Sequence, residues 1–289
     1  MPLISLLALA LLAQNISYQY DQAGRLTKVA YESGKSINYT YDANGNLLKL
    51  EITAAAFTSV SAASFRGGPL APEMLATCYG SGLAADLIVA SSIPWPTELG
   101  GTQVEITDSQ GQTRLAPIYA IAPRQINYLV PAGAAPGRAS LVVRTAGGAT
   151  IRGAIDIEPV APGLFSAQQN GEGVAAALYL RVAGDGSRTQ ELLFDPSTLA
   201  AAPVDLGSDS DAVYLLLYGT GIRGFTAAVT ALVGGERVAV LSAVAHSLYP
   251  GLDQVNIGPL PRSLTGRGVA NIVLTVDGKA ANTVTLTIR

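Results

Sequence analysis

The stretch Q-I-N-Y-L-V-P-A-G-A-A-P-G-R-A-S-L-V-V-R-T-A-G-G, from Gln125 to Gly148, returns in altered form as Q-V-N-I-G-P-L-P-R-S-L-T-G-R-G-V-A-N-I-V-L-T-V-D-G, from Gln254 to Gly278. Each copy has a Gln-aliphatic-Asn segment, a proline-bearing loop, a Gly-Arg step, a β-rich run and a glycine turn. An internal repeat of this length predicts two structurally equivalent halves. It predicts that Tyr79 and Gln125 of the first half occupy the places of Tyr218 and Gln254 in the second.

Working outward, further pieces recur. Tyr79-Gly80-Ser81-Gly82-Leu83 matches Tyr218-Gly219-Thr220-Gly221-Ile222, each an apolar strand ending in a glycine turn. Leu99-Gly100-Gly101-Thr102-Gln103-Val104 is expected to correspond to Val233-Gly234-Gly235-Glu236-Arg237-Val238. Each half closes on a period-2 run: Ile151, Gly153, Ile155 and Ile157 in the first, and Val284, Leu286 and Ile288 in the second. Val174 to Ala183 and Thr189 to Phe194 flank Gly184-Asp185-Gly186-Ser187 as a hairpin, and Pro162 to Phe165 reads as the joint between halves. Short strands with turn signals at this spacing indicate β-sandwiches.

The composition agrees. A chain of 289 residues has room for about two domains. With 31 Gly and 16 Pro it is punctuated too often for long helices. A net charge of −3 leaves no basic footprint for nucleic acid. The single cysteine, Cys78, rules out an internal disulfide and a cysteine-based zinc site.

Residues 1–14 contain an apolar run, Leu3 to Leu12, of the length of a signal-peptide core and too short to span a bilayer, although no Lys or Arg precedes it. The bland alternative is a buried strand or the ragged start of a fragment. A secreted or surface location is the expectation, with no transmembrane helix. The sequons Asn15-Ile16-Ser17 and Asn38-Tyr39-Thr40 read as incidental.

Residues 15–53 carry a second, shorter repeat. Tyr20-Asp21 returns as Tyr41-Asp42 at a period of 21, with Gly24 and Leu26 followed by Gly45 and Leu47 at the same offset. Each unit reads as a strand with alternate tyrosines (Tyr18 and Tyr20, then Tyr39 and Tyr41, each pair on one face), an Asp-Gly turn and a returning strand. The wording Y-x-Y-D-x-x-G-R-L-T-x-V and Y-x-Y-D-A-N-G-N-L-L resembles the YD repeats of the Rhs family, whose members stack many units into an enclosing β shell. Two units enclose nothing, so the family's encapsulating role is not carried over.

From about residue 60 to 289 the chain resembles an uncharacterised C-terminal domain family of Solibacter and other acidobacteria. The pieces that carry the likeness are A-A-S-F (Ala62 to Phe65), Y-G-S-G-L, L-G-G-T-Q-V, P-R-Q-I-N-Y-L-V-P, A-P-G-L-F, L-Y-G-T-G-I-R, Y-P-G-L-D-Q-V-N and N-T-V-T-L-T-I. The one departure is Glu73 after Pro72, where glycine is expected. The resemblance implies a module of secreted multi-domain proteins and no catalytic residues; at the level of fold it is similar to IPT/TIG immunoglobulin-like domains.

The expected architecture is therefore all-β: a candidate signal peptide (1–14), two YD repeats (15–53) and two tandem Ig-like β-sandwiches (54–158 and 159–289). No catalytic, cofactor-binding or metal residue is expected. Cys78 aligns with Leu217 and reads as a core residue. Ser81 lacks the G-x-S-x-G elbow and shares its turn with Thr220, which reads as structural. His246, the only histidine, ends a strand and enters a loop. Asp205, Asp209 and Asp211 read as a solvated loop, with calcium the sharper alternative. Trp95, framed as I-P-W-P, is either a plug for one end of a sandwich or a contact for a sugar or a partner. Three functions stand: a non-enzymatic extracellular structural or adhesion module, a carbohydrate- or cell-wall-binding module, and, remotely, a hydrolase with its site between the sandwiches. The partner is an unknown protein or polysaccharide. A Trp95 exposed beside other aromatics favours the second function, and a buried one the first.

Overall fold

The computed structural model describes residues 16–31, 36–53 and 57–289; the candidate signal peptide lies outside them. Among the described residues the chain is built from strands, with one 3-10 turn at Arg262–Leu264.

The YD segment is a four-stranded antiparallel sheet of two hairpins, β1 (Ile16–Tyr20), β2 (Leu26–Tyr31), β3 (Ser36–Tyr41) and β4 (Leu47–Thr53), in sequential order. The repeated Asp-x-x-Gly makes each corner. Asp21 Oδ1 accepts the N–H groups of Ala23 and Arg25, both at 2.9 Å. Asp42 Oδ1 does the same for Asn44 and Asn46 at 2.9 and 2.8 Å. Gly24 and Gly45 sit at φ 76° and 90°, a region open to glycine and costly to residues with a Cβ. Both carboxyls are held below their ordinary range, Asp21 first by the Arg25 N–H and Asp42 first by the Asn46 side chain. The first unit also reaches the second: Arg25 donates to Asp42 O at 3.3 Å and lies 5.0 Å over the Tyr41 ring, and Tyr41 donates to Leu26 O at 2.9 Å. The register shifts between Gln19 and Tyr20 and again between Thr40 and Tyr41, and each time the extra residue falls on the returning strand, Thr27 of β2 and Leu48 of β4, not on the strands that carry the tyrosines.

The first sandwich uses β5 (Thr58–Ser61), β6 (Leu75–Tyr79), β7 (Ile88–Val89), β8 (Glu98–Leu99), β9 (Thr102–Thr107), β10 (Thr113–Leu115), β11 (Ile118–Ala122), β12 (Gln125–Leu129), β13 (Gly137–Arg144) and β14 (Thr150–Ile157). One sheet runs β5-β6-β12-β11-β7 and the other β10-β9-β13-β14, with β8 also on β9. Alternate residues of both sheets meet in one core, including Cys78, Ile126 and Tyr128 from one and Val104, Ile106, Leu141 and Ile155 from the other.

The second sandwich uses β15 (Gly163–Leu164), β16 (Ala177–Val182), β17 (Arg188–Leu192), β18 (Ala212–Thr220), β19 (Val229–Val233), β20 (Glu236–Val238), β21 (Val240–Ala245), β22 (Asp253–Ile257), β23 (Gly268–Val276), β24 (Lys279–Ala280) and β25 (Val284–Ile288). Its sheets run β17-β16-β18-β22-β21, with β15 on β18, and β20-β19-β23-β24, with β25 on β23.

The repeat read from the sequence is a repeat of register. Tyr79 pairs with Gln125 and Tyr218 with Gln254; Cys78 pairs with Ile126 and Leu217 with Val255. Gln125 Nε2 donates to Asn127 Oδ1 at 2.8 Å, and Gln254 Nε2 to Asn256 Oδ1 at the same distance. Leu70 bridges Ile157 in parallel, as Val204 bridges Ile288. The glycine-pair correspondence needs correcting. Gly100-Gly101 precedes the strand that pairs with β13, whereas Gly234-Gly235 follows the strand that pairs with β23. By pairing, β9 corresponds to β19; the two glycine pairs share turn chemistry and not position.

Glu73 adopts φ 60°, the left-handed conformation that the expected glycine would take freely. Its carboxylate lies 3.6 Å from Arg223 of the second half. That guanidinium in turn holds Asp253, which is fully buried and 2.6 Å away. Burial raises the Asp253 carboxyl and Arg223 opposes the rise. The seam is otherwise tight. Thr220 Oγ1 accepts the Leu75 N–H at 2.8 Å and donates to Gly251 O at 2.6 Å. Lys279 bonds Glu158 and Val160 O. Ala62, Ala63 and Leu75 belong to the core of the second sandwich.

Two outcomes follow. Gly251 has φ 76°, and a Cβ there would stand 2.6 Å from Leu129 Cδ1 and 2.7 Å from Leu75 Cγ. Gly251→Ala is expected to destabilise by at least about 1 kcal/mol, read as a lower midpoint in urea with an unchanged slope. Asp108 uses the Asp-x-x-Gly corner again, accepting from Gln110, Gln112 and Ala135 N–H and from Arg114. The Ala135 N–H leads in holding its carboxyl down at about 2, from 3.8. The folded value lies below the unfolded one, so its contribution is present above 3.8 and disappears as pH falls towards 2. Melting temperature against pH should therefore show a smaller drop in that window for Asp108→Asn than for the parent, from a lower starting point at pH 7.

Candidate functional site

Where the sandwiches meet, an apolar cavity of about 370 Å³ opens between them. One wall is built by the segment after β7. Ala90 donates its N–H to Tyr119 O at 2.8 Å, and Ile118 donates to Pro96 O at 2.8 Å, so residues 90–96 are pinned to β11 at both ends. The Ile93–Pro94 bond is cis. Between the pins, Trp95 packs against Tyr119 with ring centroids 5.0 Å apart and planes tilted by 47°. Tyr119 sits where the β11 register shifts, a bulge position that re-aims a side chain.

The opposite wall belongs to the second half. Tyr218 near the end of β18, Tyr249, Pro250 and Leu252 line it, with Phe165 and Ala176. The loop after β21 is fixed by His246 N–H donating to Leu252 O at 2.8 Å and by Leu252 N–H donating to Tyr249 O at 3.2 Å. His246 Nδ1 accepts from Leu248 N–H at 3.2 Å, which leaves the ring proton on Nε2. The imidazole stacks on Tyr249 at 5.1 Å and lies 6.0 Å from Tyr218. Burial lowers its pKa and favours the neutral ring. Burial likewise raises the Tyr119 and Tyr218 phenols, so both keep their protons. Ser91 and Ser92 add exposed hydroxyls to the lining. Chemically this is a concave aromatic surface with few polar groups, suited to ligand packing.

The residues singled out from the sequence are distributed as follows. Trp95 is half-buried, neither a sealed plug nor free in solvent: it packs against the second core and lines the cavity. His246 lies behind the cavity wall. Cys78 is fully buried on β6, and burial pushes its thiol up to about 12. Ser81 is exposed on the turn after β6, while its counterpart Thr220 is buried in the seam. No hydrogen bond among the described residues joins His246 to Cys78 or Ser81. The Asp205–Asp211 loop is tied down by arginines and not merely solvated. Arg289 meets Asp205 at 3.2 Å, Arg262 meets Asp209 at 3.6 Å, and Arg181 lies 4.0 Å from Asp211. No group of acids, histidine and cysteine among the described residues is gathered as a metal site would require. Tyr119 and Tyr249 are not singled out by the sequence, and Tyr218 stands there as a landmark of the repeat, not as a site residue. The I-P-W-P stretch marked one wall, and the opposite wall had no local signal.

A family model for the RHS repeat matches residues 20–56. No curated protein matches the chain. Among solved structures, the chain is similar to SGBP-B of the Bacteroides ovatus mixed-linkage glucan utilization locus, solved with a mixed-linkage heptasaccharide. The likeness has 11% identity and a TM-score of 0.31, covering 90% of this chain and 54% of that one. The chain thus spans about half the length of that protein, and a likeness at this TM-score carries no functional argument. No helix among the described residues is long and apolar enough to cross a membrane. The chain carries the RHS, or YD, repeat at its first two hairpins, followed by two β-sandwiches.

Proposed function

We propose that the protein is a non-enzymatic, extracellular or cell-surface binding module whose two sandwiches form one docked unit, and that its ligand is a carbohydrate held in the cavity at their seam. The carrying observation is the aromatic wall: Trp95 against Tyr119 on one side, Tyr218 and Tyr249 on the other. The C–H faces of a pyranose pack on aromatic rings, and Ser91 and Ser92 in the lining offer hydroxyls as partners for ring hydroxyls. A volume of about 370 Å³ accommodates a short stretch of a glycan chain. The extracellular location is supported by the apolar run from Leu3 to Leu12, by the YD repeat, and by the resemblance of residues 60–289 to the acidobacterial C-terminal family.

The second reading, a structural or adhesion spacer, is favoured by the close docking of the halves through Thr220 and Arg223, which would transmit force with no ligand in the cavity.

Trp95 is the only tryptophan, so its emission reports on the cavity directly. Titrating the full chain with soluble bacterial and plant polysaccharides should give a saturable change in that emission for at least one of them. By calorimetry, Trp95→Ala and Tyr249→Ala should each weaken the interaction by roughly tenfold or more while the thermal melt stays cooperative. A flat response across the panel leaves the spacer reading in its place.

A further inference from the structure

The internal duplication exposes a strand position that one half fills and the other leaves bare. In the first sandwich β11 is flanked by β12 and, on its outer side, by β7. In the second, β21 takes the place of β11. Both lie against the Gln-x-Asn strand, and both shift register at the equivalent residue, Tyr119 in one and Leu241 in the other. Yet among the described residues β21 ends its sheet. The reason lies in the connections. Residues 80–101, between β6 and β9, carry β7 and β8, whereas residues 221–228, between β18 and β19, carry no strand.

We infer that the outer edge of β21 is a docking site for an extended, uncharged aliphatic strand of another polypeptide, seated as β7 is seated on β11. The covered copy shows the chemistry required. There Val89 and Ile88 pair with Ala120 and Ile121, and Ala90 donates its N–H to Tyr119 O. The matching positions on β21 are Ser242 and Ala243, with Leu241 O as the acceptor. The edge is apolar, with Leu241 57% and Val244 52% exposed, and Leu248 beyond it 64% exposed. No charged residue lies on β21, V-L-S-A-V-A. The edge strands β10, β14, β17 and β20 carry charged side chains, which is how exposed edges are ordinarily kept from pairing; the short β5 and β7, like β21, carry none, but β21 is the longest of the three. Strand addition of this kind draws its affinity from main-chain hydrogen bonds and its selectivity from the alternate side chains. It is independent of what the cavity binds.

The probe is a fluorescein-labelled synthetic peptide with the sequence of residues 87–92, L-I-V-A-S-S, titrated with the full chain and followed by anisotropy. Saturable binding is expected, together with slower amide exchange over residues 240–245 when the peptide is present. A Leu241→Lys, Val244→Lys double variant should bind at least tenfold more weakly with its thermal melt retained, and a peptide with lysine at the Ile88 and Val89 positions should not bind. The proposal is overturned by an absence of saturable binding at millimolar protein. It is equally overturned by undiminished binding to the double variant, or by protection that falls elsewhere in the chain. Protection of β21 that rises with protein concentration alone would overturn it in favour of pairing between two copies of this chain.

Discussion

One buried hydroxyl ties the molecule together. Thr220 Oγ1 accepts the N–H that opens β6 and donates to the Gly251 carbonyl, so a strand of the first half, the end of β18 and the loop before β22 meet at one atom. Both roles of the hydroxyl are used, and a serine-for-threonine or alanine-for-threonine change would leave either a gap or two unsatisfied main-chain groups away from water. The consequence reaches the cavity. Its two aromatic walls come from different sandwiches, and Thr220 joins them close to three of the lining residues, Leu75, Tyr218 and Leu252. The Glu73–Arg223–Asp253 chain sets the same alignment from a second point.

The two sandwiches are copies that have diverged at the places where they touch. Ser81 and Thr220 occupy the same turn, but one faces solvent and the other fills the seam. The 80–101 connection delivers a sheet edge and the Trp95 wall; its shortened counterpart delivers neither. A single long connection thus makes the difference between a closed sheet edge and an open one, and also between a cavity with two walls and one with a single wall.

Much of the fold was legible because its signals are local. The Gln-x-Asn strands repeat a side-chain hydrogen bond as well as a register, the Asp-x-x-Gly corners need only five residues to close, and Glu73 stands out because a left-handed conformation asks for glycine. The glycine pairs misled for the same reason: a tight turn selects the same residues wherever it occurs, so Gly100-Gly101 and Gly234-Gly235 look alike without being equivalent. The cavity was half legible. I-P-W-P drew attention to Trp95, but Tyr218 and Tyr249 lie on a strand and a loop more than a hundred residues later, and only the docking of the halves brings them opposite it. The arginine partners of Asp205, Asp209 and Asp211 were hidden likewise, since Arg181, Arg262 and Arg289 are spread along the second half.

The YD hairpins carry a sense of direction. The residue after the turn glycine is arginine in the first unit and asparagine in the second. Arg25 is long enough to bond its own Asp21 and still reach the Asp42 carbonyl and the Tyr41 ring of the neighbour. Asn46 spends its short amide on its own Asp42. Within this pair the contact is therefore one-way: the first unit's arginine latches onto the second, while the second unit's asparagine turns back on its own corner.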